Sequence, residues 1–205
     1  GMKLPITIVG GGITSIHLAL KLSELYPNQV TLLKRHPFRI HDFDSDPGWL
    51  GPKLQNAFRN KESYVKRREE ILSARHRGSI PHDLYIKLLN RIKNESLVVE
   101  EGEIVQGQIK NASIHLFDKD GKFITKTGTV LLATEYLPCL PGSEWILPII
   151  ETLDLPCAEC GYPIVTKTLQ WGEDLYVTGA LAELEMGPIA RNISGARQAA
   201  ERNGS

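Results

Sequence analysis

The chain lacks an excess of charge of either sign: 24 basic residues are matched by 24 acidic ones over 205 positions. No net field therefore draws it to nucleic acid or to an anionic membrane. It also lacks any apolar run approaching the roughly 20 residues that cross a bilayer, and no signal-peptide pattern precedes its first strand. Cysteine is scarce. Three thiols, an odd number without a leader, suit a reducing cytoplasm and argue against a disulfide framework. Internal repeats, low-complexity tracts, and Ser-His-Asp, paired-carboxylate or metalloprotease spacings are missing, and so is a complete set of metal ligands. The glycine-rich turn near the N-terminus has no second copy. The chain thus reads as a single compact domain over residues 1–205, with no separate domain for NAD(P)H.

What is present begins with LPITIVGGGITS, Leu4 to Ser15. An apolar strand, Ile6 to Val9, runs into Gly10, Gly11 and Gly12, and then into a helical pattern from Thr14 to Leu25 that stops before Pro27. This is the strand, tight turn and helix of a dinucleotide-binding unit. Glycine at 10 permits the turn. Glycine at 12 lets the backbone approach a pyrophosphate, whose charge would lie against the N–H groups of Ile13, Thr14 and Ser15. Ser15 stands where the pattern has its third glycine. A ligand-free βα turn is the alternative reading. The next strand, Val30 to Leu33, ends in Lys34-Arg35-His36, where such folds place an acid for a ribose hydroxyl. Basic residues there suit a ribose phosphate, so NADP stays open beside FAD, with the ADP portion across Gly10 to Ser15 and Lys34.

A polar, turn-rich stretch from His36 to Asn60 is too long for an ordinary βα loop and reads as a ligand cover. Trp49 in it either offers an aromatic face to a ring or packs for stability. Its alternating aspartates do not make a calcium loop, because Pro47 and Lys53 occupy the positions of the turn glycine and the closing glutamate. Lys61 to His76 reads as a charged surface helix whose run Lys66-Arg67-Arg68-Glu69-Glu70 is a solvated face. The turn ARHRGSIPH, with Arg77 and Gly78, could meet a phosphate or an acidic substrate, or be solvated surface. Ser79 to Asn94 is an amphipathic helix with Pro81 near its start. Short alternations at Leu97 to Val99, Ile104 to Ile109, Ser113 to Phe117 and Phe123 to Ile124 predict an antiparallel meander leading to a buried strand, Thr129 to Ala133.

The chain closes with LYVTGALAELEMGPIARNISGARQAA, Leu175 to Ala200: a strand ending in Thr178-Gly179, then a small-residue helix from about Gly187. This segment, with the glycine turn and the internal VLLATEY of Val130 to Tyr136, resembles the two-dinucleotide-domain flavoproteins. That superfamily includes disulfide reductases, flavin monooxygenases and lysine or ornithine N-hydroxylases. The resemblance implies a Rossmann-like FAD/NAD(P)-binding α/β fold, a parallel sheet with helices on both faces and an inserted antiparallel β-meander. It places Thr134, Gly179, Ala180, Gly187 and Pro188 beside the cofactor; the loop and the basic strand end read above add Trp49 and Arg35. Ala180 and Glu135 depart from the superfamily's usual aspartate and glycine. The activity implied is a cytoplasmic FAD-dependent oxidoreductase or monooxygenase-like flavoprotein, working on a small-molecule substrate or with a redox partner protein. The alternative is a non-catalytic nucleotide sensor. Cys157-Ala158-Glu159-Cys160 reads as a redox pair, as inert thiols, or as half of a zinc knuckle. Arg191 and Asn192 lie near the cofactor or merely cap the last helix.

Overall fold

The computed structural model describes residues 1–134 and 139–203; the reading of Glu135 falls outside them. The chain divides into two compact units, each made of two stretches: Gly1–Asp44 with Arg77–Tyr136, and Ser45–His76 with Leu137–Ser205.

The first unit opens with β1 (Ile6–Val9), α1 (Ile13–Leu25) and β2 (Val30–Lys34). Strands β1 and β2 are parallel, with Ile6 opposite Val30 and Val9 opposite Leu33. The connection is a βαβ unit: α1 ends where Tyr26 N–H bonds Leu22 O and Pro27 forbids another turn. A two-residue strand β3 (Arg39–Ile40) follows. The chain then builds α2 (Pro52–Arg59) and α3 (Tyr64–Ala74) in the second unit, and returns through β4 (Ser79–Ile80) and α4 (His82–Lys93) to β5 (Val98–Glu101). β5 pairs parallel with β2, Lys34 opposite Glu101. The alternation at Leu97 to Val99 is therefore an edge of the parallel sheet and not the first meander strand. Its residues alternate because an edge strand is covered less evenly than a central one.

The meander itself is β6 (Gln106–Lys110), β7 (Ser113–Phe117) and β8 (Phe123–Thr127). It hands the chain to β9 (Thr129–Leu132), parallel to β1 on its other side. The sheet order is β5-β2-β1-β9, so the connection reverses direction between β1 and β9. Ile6, Ile8, Ile16, Leu32, Ile80 and Leu88 form the centre of this core, none of them exposed. Burying each contributes roughly 1.5–3 kcal/mol.

Among its described residues the second unit has no sheet of its own. The expected ligand cover, His36 to Asn60, contains the 3-10 turn Pro47–Leu50 and the helix α2. After α5 (Ser143–Leu153) come two tight hairpins, bridged at Cys157 with Pro163 and at Gln170 with Tyr176. The expected strand at Leu175 to Thr178 is limited to that second bridge, because Trp171 N–H bonds Leu175 O and Val177 N–H bonds Leu169 O. The segment satisfies its backbone within its own hairpin. The expected helix from Gly187 begins later: a 3-10 turn Gly179–Ala182, α6 (Glu183–Met186) and a 3-10 turn Pro188–Arg191 precede α7 (Ile193–Asn203).

The largest departure from the sequence pattern lies on α3. Its charged run is a solvated face only at Lys66 and Glu69: Arg67 is buried, Arg67 Nη1 pairs with Glu185 at 3.2 Å, and Arg68 pairs with Glu183. Arg191 meets the other oxygen of Glu183 at 2.6 Å. The compensating charges that looked local, Glu69 and Glu70, are replaced by partners on α6, more than 100 residues away in sequence. Arg67 also donates to the carbonyls of Lys61, Leu184 and Arg59 at 2.7–2.9 Å, so its guanidinium is satisfied inside an apolar surround.

Candidate functional site

The carboxyl end of β1 is built by the glycine turn. Gly10 has φ +149°, a conformation that side chains resist, and a Cβ there would come within 2.9 Å of the Ala133 carbonyl carbon and closer still to its oxygen. That approach lets Gly10 N–H bond Leu33 O at 2.9 Å while Ala133 N–H bonds Val9 O at 2.8 Å. Ser15 is fully buried beneath the turn, and its hydroxyl donates to Gly12 O at 2.6 Å. The missing third glycine is thus replaced by a side chain that tightens the turn from inside.

Gly12 is the N-cap of α1, with extended backbone and no side-chain cap, and the first intrahelical bond is Ile16 N–H to Gly12 O. The N–H groups of Ile13, Thr14 and Ser15 lie ahead of that bond, at the positive end of the helix dipole. The last helix differs, because Asn192 Oδ1 accepts from Gly195 N–H at 2.9 Å. Asn192 therefore caps α7, and Arg191 is committed to Glu183 and to the Tyr162 hydroxyl at 3.0 Å.

A second glycine lies beside Gly12. A Cβ on Gly12 would lie 3.5 Å from Gly78 Cα, an ordinary contact. Gly78 therefore lies at the N-terminus of α1, held there by the pairing of β3 with β4 and by Arg39 Nη1 donating to Arg77 O at 3.3 Å. Asp42 accepts from His82 N–H at 3.0 Å, capping α4, and Asp46 accepts from Gly48 N–H at 2.7 Å. The acidic loop spends these carboxylates on turns and caps.

Lys34 forms an ion pair with Glu101 at the ends of β2 and β5, and its ammonium lies 5.2 Å from the Phe38 ring centre. Arg35 beside it is exposed, as is Thr134. The end of β2 carries no acid of its own, and Glu101 of β5 is brought to that place by register. Only the placement of β5 in the parallel sheet would have shown it.

In the second unit, Trp49 is 4% exposed, packed edge-on against Phe58 at 5.7 Å and against Gly187. Of its two readings, packing is the one observed. Gly187 and Pro188 are buried with it, while Gly179, at φ +62°, and Ala180 are half-buried in a 3-10 turn. Cys157 and Cys160 are free thiols on one hairpin, half-buried and exposed respectively. Burial, then the neighbouring Cys160 charge, pushes the Cys157 thiol up, which disfavours its thiolate as a nucleophile.

No protein-family profile matches the chain, and no curated protein matches it in sequence. Solved structures do match in fold. The FAD-bound cadaverine monooxygenase of desferrioxamine biosynthesis from Erwinia amylovora superposes with a TM-score of 0.72 at 14% identity, covering 98% of this chain and 50% of that one. An L-lysine 6-monooxygenase from Pseudomonas syringae gives 0.64 at 14% identity, over 100% of this chain and 54% of its own. A flavoprotein disulfide reductase from Escherichia coli gives 0.54 at 10% identity, over 98% and 35%. The chain spans about half the length of the two monooxygenases. No helix among the described residues is long and apolar enough to cross a membrane. The fold is the Rossmann-like α/β fold of these flavin-dependent enzymes, parallel sheet and inserted meander included.

Proposed function

We propose that the chain binds FAD with the diphosphate over the N-terminus of α1, and acts as an oxidoreductase or monooxygenase-like flavoprotein on a small molecule or with a redox partner protein. The observation that carries this reading is the Gly10–Ser15 turn. It opens at the carboxyl end of β1, at the switch point between β1 and β9 where open α/β sheets take ligands. Its helix is uncapped, and Gly12 lies against a second glycine, Gly78, with no Cβ on either.

The N–H groups of Ile13, Thr14 and Ser15 would meet the diphosphate charge. Glu101, held by Lys34, would supply the ribose acceptor that β2 itself lacks. Bound there, the flavin supplies the electron transfer, and the chain supplies its orientation and electrostatics. The alternative ligand, NADP, is favoured by one observation, the exposed Arg35 beside Lys34.

Parallel titration with FAD, NAD and NADP tests the reading, with Gly12→Ala as the variant. Its added methyl meets only ordinary contacts, so the fold is kept while the diphosphate's approach is obstructed. FAD should bind one to one in the wild-type protein and at least about tenfold more weakly in the variant, a difference of about 1.4 kcal/mol. Equal affinity in both proteins, or NADP bound in preference to FAD, rejects it. A second expectation follows from the single glycine-rich turn. Hydride transfer needs a nicotinamide within roughly 3–3.5 Å of the flavin, and this chain has no second turn to hold one. Anaerobic NADPH should leave the flavin oxidised; bleaching within seconds would show a nicotinamide site.

A further inference from the structure

We infer that the hairpin carrying Cys157 and Cys160 is a two-thiolate site for a soft cation of low coordination number, of the cuprous type. The segment Cys157-Ala158-Glu159-Cys160-Gly161 folds as a tight turn closed by Gly161 N–H to Ala158 O at 2.8 Å and Ala158 N–H to Tyr162 O at 2.9 Å. Gly161, at φ +78°, reverses the chain directly after Cys160, a conformation that only glycine adopts freely. Cys157 stands at the foot of the turn, bridged to Pro163, where Ile164 N–H bonds Pro156 O at 2.9 Å. Both thiols therefore sit on one short turn at the i, i+3 spacing with which cysteines chelate metal.

The turn is rigidly mounted. Pro156 O also accepts from Trp171 Nε1 at 2.8 Å, and the buried Tyr162 donates its hydroxyl to Cys139 O at 2.8 Å. A turn whose backbone is held before the ion arrives loses little backbone freedom on binding it.

Ligand number selects the cation. Structural zinc takes four protein ligands and iron–sulfur clusters take four cysteines. Among the described residues no group of three or more His, Cys, Asp or Glu side chains could hold a metal ion. Two thiolates remain, and soft sulfur donors select cuprous copper, for which two ligands suffice. Binding converts two thiols and one cuprous ion into a bis-thiolate complex and releases two protons, with no electron transferred. Cys160 is exposed and Cys157 half-buried, so the ion reaches the sulfurs from solvent.

The inference is independent of flavin binding. The full chain, reduced and free of oxygen, is titrated with cuprous ion in the presence of bicinchoninate. One copper per chain should be withheld from the chelator, with two Cu–S contacts by X-ray absorption. Cys160→Ser, at an exposed position that leaves the fold intact, should weaken binding by more than about 100-fold, since even outer-shell changes at metal sites cost 10–100-fold. Cys139→Ser should bind as the wild type does. Transfer of all copper to bicinchoninate, retention by Cys160→Ser, or loss in Cys139→Ser would each overturn the assignment, as would stoichiometric zinc held in preference to copper.

Discussion

In the unit that holds β1, β2, β5 and β9, the buried polar side chains are neutral: Thr7, Ser15, Ser23 and Thr127. In the unit that holds α3, α6 and α7, buried Arg67, Glu183 and Glu185 lie among Trp49, Phe58, Tyr162 and Trp171. The first unit satisfies its backbone with a parallel ladder, so its interior needs only apolar side chains. The second has no ladder among its described residues. Its short helices and 3-10 turns leave carbonyls such as those of Arg59, Lys61 and Leu184 to be met by guanidinium donors. Charge enters this interior because irregular backbone requires donors that reach it.

The sharpest way to break this comparison is to remove one charge from the second unit. The Glu183 side chain is 2% exposed and accepts from both Arg68 and Arg191. Glu183→Ala would remove the buried carboxylate that Arg68 and Arg191 share and should cost about 3–5 kcal/mol, the penalty of breaking a buried ion pair from one side. Glu69→Ala, at an exposed position of α3, should change stability by no more than about 0.5 kcal/mol. Urea unfolding of both variants decides the matter. Equal effects would mean that the Glu183 cluster is no more than surface charge.

The first unit is tested at its turn. Gly10→Ala combines an unfavourable φ with a clash against the Ala133 backbone, which cannot yield without opening β1 from β9. Strain of this kind costs about 1–3 kcal/mol. The loss should appear as reduced hydrogen-exchange protection in β1 and β9. A neutral substitution would show that the turn relaxes and that Gly10 is replaceable.

These two sites also mark what a sequence reveals. Gly10, the strands Ile6–Val9 and Val30–Lys34 and the helix Ile13–Leu25 were legible because each follows from local conformation and apolar period. Gly10 to Ser15 were therefore legible as a candidate site. The partners of Lys34 and Arg67 were not, because Glu101 and Glu185 lie 67 and 118 residues away. A charge pattern compensated by its neighbours looks the same whether or not a distant partner claims it. The last segment was misplaced for a related reason: Leu175 to Val177 has strand composition, yet its hairpin with Leu169 to Trp171 satisfies it before any sheet can. Composition records β-preference and not which ladder takes it.

The smallest effect separates the two buried glutamates from each other. Burial pushes the Glu185 carboxyl above its ordinary value, outweighing the opposing pull of Arg67, Arg59 and Lys167. In the window between the unfolded carboxyl value, about 4.3, and the raised folded one, the folded state binds more protons than the unfolded state. Stability attributable to this group therefore rises as pH falls through the folded value and levels off below the unfolded one. Charged Glu185 is thus held at some cost at neutral pH, although Arg67 and Arg202 lie 3.2 and 3.5 Å away. Glu185→Gln keeps the shape, removes the proton-linked part, and should be milder at neutral pH than Glu183→Gln. Subtracting its urea-unfolding profile from the wild-type profile between pH 4 and 7 isolates this one carboxyl. A difference that falls on acidification would show that the arginines outweigh burial, and that Glu185 is an ion-pair anchor of the same kind as Glu183.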